Sequence, residues 1–272
     1  MESTDNSYSE NLNNDNIVEL KTVQSSPFRY LIEALKEILT DTNVDFDENG
    51  MKIVAMDASH TVLVHLRLDG SKFDKYSCTQ KQTIGISMGN LFKYIKQIGN
   101  NDTLTLYLES AEPNKLGIKI ENGEKNSITK LKLNLMDLPD GAIDIPPASF
   151  ESVITMPSND FQKICRDFFN IGEYLDLKSV GNQLIFSVKG DSGEAEHVIG
   201  ENQNGLSFVQ NSSPNEIIQG VFALKHLVMF CKCTTLSNQI QIFLKNDYPL
   251  IIQYNVAALG EIKLCLAPQG TA

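Results

Sequence analysis

The stretch VDFDENGMKIVAM, residues 44–56, decides how this chain folds. Val44 to Asp47 alternates apolar and polar residues, Asn49-Gly50 follows, and Met51 to Met56 alternates again. Asn-Gly between two such runs is a strong hairpin signal, because both residues tolerate the positive φ of the tightest turns. Hairpins join antiparallel strands, which leaves one sheet face free for helices. Upstream, Ile17–Val23 alternates like a strand and Pro27 suits the first turn of a helix. Phe28, Leu31, Ile32, Leu35, Ile38 and Leu39 then form an apolar stripe at helical spacing. Downstream, Thr61–Leu68 alternates as another strand.

The scheme recurs. A second quarter is built around a helix at Met88–Ile98, with strands at Thr103–Glu109, Lys115–Ile120 and Ile128–Leu135. Third and fourth quarters surround helices at Pro157–Phe169 and Leu224–Cys231. Their strands fall at Tyr174–Ser179, Gln183–Lys189, Gln239–Lys245, Leu250–Asn255 and Glu261–Leu266. Two quarters make a domain, so the fold class is α+β: two similar domains of antiparallel sheet with two helices each. The expected boundaries are a disordered acidic tail at 1–16, domains at 17–135 and 150–268, and a connector at 136–149. The tail carries Glu2, Asp5, Glu10 and Asp15 without a basic residue. The connector, MDLPDGAIDIPPAS, is held extended by Pro139, Pro146 and Pro147, and is apolar at Ile143 and Ile145.

Charge points to a ligand class. The 272 residues carry a formal charge of −11, yet each helical stretch places two cations at helical spacing. The pairs are Arg29/Lys36, Lys93/Lys96, Lys163/Arg166 and Lys225/Lys232. One such pair reads as a solvated face. Four pairs in equivalent places on four repeats read as a surface that holds a polyanion. No basic-then-apolar leader and no run of about 18 apolar residues occurs, so neither export nor a membrane span is expected. The sequons at Asn101 and Asn211 are then chance matches. Cys78, Cys165, Cys231, Cys233 and Cys265 are odd in number and lack metal-ligand spacing. They read as buried thiols in a reducing compartment, with no metal and no cofactor.

One motif points elsewhere. Gly85-Ile-Ser-Met-Gly89 is a literal Gly-x-Ser-x-Gly, with His197 and His226 downstream in permitted order for a serine hydrolase using Ser87. That elbow belongs to a parallel sheet, and no glycine-rich oxyanion segment precedes it. Ser87 reads better as a helix N-cap. No catalytic residue is assigned.

Met56-Asp-Ala-Ser-His60-Thr-Val-Leu-Val-His-Leu-Arg67 resembles the strand–loop–strand of the proliferating cell nuclear antigen family, the eukaryotic and archaeal sliding clamps. Leu31-Ile-Glu-Ala-Leu-Lys36, Phe73-Asp-Lys-Tyr-Ser-Cys78, Leu135-Met-Asp-Leu138, Met156-Pro-Ser158, Ile164-Cys-Arg-Asp167, Ile171-Gly172, Phe222-Ala-Leu224 and Leu266-Ala-Pro268 are similar to it too, in order from about Ile17 to Pro268. The resemblance implies a homotrimeric ring with an outer sheet and inner helices around duplex DNA. It implies a non-enzymatic processivity factor that holds DNA polymerase and other proteins carrying a short clamp-binding peptide, and that is loaded by a clamp loader. A nuclear clamp and one working at the replication site of a large DNA virus fit equally. A clamp-like factor that does not close into a ring stays open. The resemblance places the docking pocket at Met56, His60, Leu63, Ile143, Ile145, Pro146, Pro249, Ala267 and Pro268. Thr61 and Cys265 depart from the family pattern, where an aliphatic and an aromatic residue are usual. No lysine stands at Gly181-Asn182, where the family carries its ubiquitin acceptor, so that modification is not carried over.

Overall fold

The computed structural model describes residues 16–139, 141, 143, 145, 147–210 and 216–270. The expected acidic tail, Asn211 and Pro146 lie outside the described residues, apart from Asn16, which opens the first strand. The first half runs β1 (Asn16–Thr22), α1 (Ser25–Ile38), β2 (Asp41–Asp47), β3 (Gly50–Met56), β4 (Val62–Asp69), β5 (Lys75–Cys78), β6 (Gln82–Ser87), α2 (Met88–Ile95), β7 (Asp102–Glu109), β8 (Lys115–Asn122) and β9 (Ser127–Asn134). The second half repeats that order with β10 (Ser152–Pro157), α3 (Ser158–Phe169), β11 (Tyr174–Val180), β12 (Gln183–Gly190), β13 (Gly193–Gly200), β14 (Ser207–Gln210), β15 (Ile217–Ala223), α4 (Leu224–Phe230), β16 (Gln239–Leu244), β17 (Leu250–Val256) and β18 (Gly260–Leu266).

The hairpin at residues 44–56 forms, but its two turn residues are Glu48 and Asn49, with Gly50 opening β3 opposite Asp47, and Asn49 does not take the positive φ expected of an Asn-Gly turn. Gly50 has φ of +142°, and a Cβ there would lie 2.0 Å from the Leu68 carbonyl oxygen, so the position needs glycine on two counts. Every ladder is antiparallel. The strand orders are β5-β1-β7-β8-β9, β13-β12-β11-β15, and a nine-stranded sheet β14-β10-β16-β17-β18-β4-β3-β2-β6. The last sheet crosses the halves where β18 pairs with β4, from Gly260 opposite Leu68 to Leu266 opposite Val62. The two halves therefore share one sheet.

Strand alternation sorts the two faces. Val62, Val64, Leu66 and Leu68 are buried on β4, while Leu63, His65 and Arg67 between them are not. The helices cover the buried side. The α1 stripe of Phe28, Leu31, Ile32, Leu35 and Ile38 is buried as its spacing predicts. Each half anchors its first helix alike. The Ser25 hydroxyl donates to the Asp102 carbonyl at 2.6 Å, and the Ser158 hydroxyl donates to the Ser237 carbonyl at 2.5 Å.

Some expectations need correction. Helix α2 stops at Ile95 rather than Ile98. A 3-10 turn, Cys231–Leu236, takes over where α4 ends, so Lys232 is not on that helix. Two short strands, β5 and β14, carry no alternation long enough to read. Of the five cysteines, Cys165, Cys231 and Cys233 are buried, while Cys78 and Cys265 are only partly so.

Because β4 and β18 merge the halves, unfolding should be a single transition. Leu264→Ala, at a fully buried position in that seam, should cost about 2–5 kcal/mol. Denaturant titration would show a lower midpoint and still one transition. Two resolved transitions would mean that the halves are energetically separate.

Candidate nucleic-acid interface and docking groove

The helical cations share a side of the molecule but not their surroundings. Lys93, Lys96, Lys163, Arg166, Lys225 and Lys232 are exposed, whereas Arg29 and Lys36 are half-buried. The Arg29 guanidinium lies 4.6 Å from the Tyr30 ring centroid. Lys36 sits 5.0 Å from the Phe92 centroid and also pairs with Glu37. These two are packed residues that reach solvent only in part. Lys93 donates to Asn90 Oδ1 at 3.0 Å and pairs with no acid among the described residues.

Aligning the halves on Ser25 and Ser158 matches Phe28 to Phe161, Leu31 to Ile164 and Leu35 to Phe168, all buried. The same alignment matches Arg29 to Gln162, Lys36 to Phe169 and Arg166 to Glu33. The expectation of equivalent places is therefore wrong for α1 and α3. Their common feature is only the solvent-facing side of the helix. Where α1 meets the second half, Glu33 and Glu37 share a hollow of about 260 Å³ with Arg166 and Lys232. The hydrogen bond from Lys36 holds the Glu37 carboxyl below its usual range; burial opposes this, and Lys36 and Lys232 add to it by charge. The two carboxylates offset the positive charge at that junction, whereas α2 carries no acidic residue of its own.

On the opposite sheet face a row of apolar side chains crosses the seam. Met56 faces Leu63, Leu63 faces Cys265, Cys265 faces Ile251, and Ile251 faces Phe243. Phe150 then packs edge-on against Phe243 at 5.4 Å and Tyr248 at 5.6 Å. Met56 is 40% exposed and Ile145 39%. An apolar row on a solvent-side sheet face is what a protein partner covers. Sequence reasoning missed Phe150, Phe243, Tyr248 and Ile251. The available signal was that β16 and β17 stay apolar at Phe243 and Ile251, on the face where polar residues would be expected.

The loop beside this row is tightly held. Asp57 accepts from the backbone N–H groups of Thr61 and Val62, both at 2.8 Å, and of Ser59 at 3.3 Å, and also from the Ser59 hydroxyl. Burial alone would push this carboxyl up, but the bonds from Ser59, Val62 and Thr61 hold it below the usual range. His60 adopts φ of 55° at the loop tip. The Ala267 N–H donates to the Thr61 carbonyl at 3.1 Å, and the Gln269 N–H to the Val221 carbonyl at 2.8 Å. Pro268 thereby lines a hollow of about 460 Å³ with Val221 and Tyr248. Pro249 follows Tyr248 and is half-buried. Ile143 lies elsewhere, over β2 and β3 beside Val54 and Lys52. The structure thus puts Met56 and Leu63 in the row itself, His60 at the tip of the adjoining loop, Ala267 beside Thr61 of that loop and Pro268 in the hollow with Tyr248, and sets Ile143 apart over β2 and β3.

Ser87 is the N-cap residue of α2, but its hydroxyl makes no capping bond. Strand β6 is an antiparallel edge beside β2. His197 lies on β13 in a different sheet and His226 on α4. The geometry of a nucleophile elbow is not there. Among the described residues, no group of three His, Cys, Asp or Glu side chains is arranged to hold a metal.

Comparison with known proteins covers nearly the whole described length. Residues 17–141 match the proliferating cell nuclear antigen N-terminal domain, and residues 144–269 match its C-terminal domain. The probable DNA polymerase sliding clamp 1 of Paramecium bursaria Chlorella virus 1 is 32% identical over 262 residues, covering 94% of this chain and 99% of that protein. The proliferating cell nuclear antigen of Chaetomium thermophilum is 31% identical over 258 residues, covering 93% and 98%.

The Asp57 loop gives a pH-dependent test. Its folded carboxyl is depressed, so its contribution is complete above the unfolded value near 3.8 and is lost as pH falls through the folded one. Asp57→Asn should cost about 1 kcal/mol near neutral pH, and the gap to the parent should close in acid. A gap that persists there would show that the charge is not what holds the loop.

Proposed function

The chain belongs to the proliferating cell nuclear antigen family, and on that premise we propose that it is a DNA sliding clamp. Three copies close head to tail into a ring, with the helices lining the hole and the sheets outside. The observation that carries this reading is the separation of the two faces. Exposed cations stand on the helices and just past their C-terminal ends in a chain of charge −11, and the apolar row lies on the other side of the sheets. Lys93, Lys96, Lys163, Arg166, Lys225 and Lys232 meet phosphates without reading bases, with Arg29 and Lys36 as packed contributors. Contacts of that kind exchange freely, so the ring slides. Binding to duplex DNA is topological and needs no high affinity.

The outer groove docks partners. Met56, His60, Leu63, Ala267 and Pro268 form its floor and wall, Ile143, Ile145 and Pro146 its connector side, and Pro249 its far end. A short peptide from a DNA polymerase anchors there by a few large apolar groups. Tethering raises the polymerase concentration at the primer end, which is the basis of processivity. A clamp loader opens the ring, and the work takes place in the nucleus or at a viral replication site. The clamp itself performs no chemistry.

The ring should remain on circular duplex DNA in high salt and leave once the circle is linearised. Lys93→Ala/Lys96→Ala should flatten the salt dependence of DNA association by about 0.9 per lost phosphate contact. A monomer mass at micromolar protein, or equal retention on circular and linear DNA, would rule the ring out.

Ile145→Asp should abolish stimulation of a polymerase while leaving mass and DNA encirclement unchanged. Loss of assembly would make Ile145 structural. Full stimulation would place docking elsewhere.

A further inference from the structure

Along the strands from the apolar row, the same sheet face changes character. Met56 opposite Leu63 gives way to Val54 opposite His65, and these to Lys52 opposite Arg67. Lys52 and Arg67 are both exposed, and like charges directly opposed on neighbouring strands are destabilising. Among the described residues neither forms an ion pair, nor does Lys81, exposed just before β6. The nearby carboxylates are engaged with other groups. Glu261 pairs with Lys263 at 3.2 Å and accepts from Gln253, Asp45 accepts from the Thr83 hydroxyl at 2.6 Å, and Asp47 accepts from the Asn49 N–H at 2.7 Å. Lys52 lines two hollows, one of about 330 Å³ with His65 and Arg67, the other of about 300 Å³ with Lys81 and Thr83. Burial, and then the charges of Lys52 and Lys263, hold the His65 ring below its usual pKa against the pull of Glu261. The field on this face is therefore positive, in a chain of charge −11. From Lys81 to Arg67 the patch crosses three strand spacings, roughly 14 Å in all.

The chain carries a segment of matching charge, and it enters the fold beside the patch. Residues 1–15, outside the described residues, contain Glu2, Asp5, Glu10 and Asp15 and no lysine or arginine. Asn16 opens β1. The Ile17 carbonyl accepts from the Thr79 N–H at 2.9 Å and from the Thr79 hydroxyl at 3.2 Å, and Thr79 stands two residues before Lys81. On its other side β1 sets Asn16 against Glu109, whose charge Lys132 already meets. We propose that the acidic segment 1–15 docks on the sheet face at Lys81, Lys52 and Arg67, as a tethered ligand of its own chain. Its reach is sufficient: Glu10 and Asp5 are joined to Asn16 by up to about 20 and 36 Å of extended chain. The contact is made within one chain and needs no ring. Tethering holds the segment at an effective concentration on the order of millimolar. An acidic stretch of another protein therefore reaches the patch only by displacing it.

Zero-length cross-linking reads the contact, because a water-soluble carbodiimide joins a carboxylate to a lysine amine only where the two meet. In the full chain at low salt, Glu2, Asp5 or Glu10 should be linked to Lys52 and Lys81, as read by mass spectrometry of the digest. High salt should remove those links. Lys52→Gln/Arg67→Gln, both at exposed positions, should lower the yield at Lys81 about five-fold, as expected for two surface pairs lost together. An unchanged yield at Lys81 would reduce the contact to the nearness of Thr79 and overturn the docking. Links chiefly to Lys93, Lys96 or Lys163, or none beyond Asp15, would overturn it too. Occupancy is tested in trans with a synthetic peptide of residues 1–15, acetylated and amidated. It should label Lys52 about three-fold more in the full chain carrying Glu2→Gln, Asp5→Asn, Glu10→Gln and Asp15→Asn than in the parent. Equal labelling would leave the patch open to an acidic segment of another protein and remove residues 1–15 as its occupant.

Discussion

An unpaired strand edge is a row of backbone donors and acceptors that must find a partner or remain in water. The fold is organised around that requirement. The β4–β18 ladder satisfies it within the chain, and in doing so fixes the two halves as parts of one nine-stranded sheet. Everything functional is measured from that ladder. The apolar row crosses it through Leu63 and Cys265, the Asp57 loop ends where β4 begins, and the chain terminus leaves β18 beside Thr61.

The two faces separate because two periodicities coexist. Strands alternate every second residue, so one side of each sheet enters the core and the other is free. Helices bury a stripe and leave the remainder to solvent. With the helices covering the buried side of the sheets, cations on their solvent-facing surfaces cannot share a face with Met56, Leu63 and Ile251. An acidic chain can thus present exposed cations on one side and an apolar row on the other. Glu33 and Glu37, close to Arg166 and Lys232, offset the positive charge at the junction of the halves.

Much of this was legible in the sequence where patterns are long. The 44–56 hairpin, the α1 stripe and the repeated order of strands and helices follow from periodicity and turn chemistry. Strands β5 and β14 were not legible, since four residues give no period. The position of Lys232 was lost because a 3-10 turn continues the helical pattern with different geometry. The equivalence of the cation pairs failed because spacing within a helix says nothing about phase between helices; only Ser25 and Ser158, with their matching bonds, set that phase. In and beside the apolar row, resemblance supplied Met56, His60 and Leu63. The continuation through Ile251, Phe243 and Phe150 depends on cross-strand register, which brings together residues far apart in sequence. Ser87 shows the reverse failure, a motif complete in letters whose strand runs the wrong way.

The seam also imposes an order on biosynthesis. Strand β4 is translated long before β18, and at about 5–20 residues per second it waits on the order of ten seconds or more for its partner. During that interval β9 emerges, closing the first half as β18 closes the second. With Leu131 in the place of Leu264 it would set Ile128 against Arg67 and Lys132 against Leu63, losing both the Glu261–Arg67 and the Cys265–Leu63 matches of the native ladder. The side chains that complete the seam therefore also disfavour a premature closure of the first half upon itself while the second half is still on the ribosome.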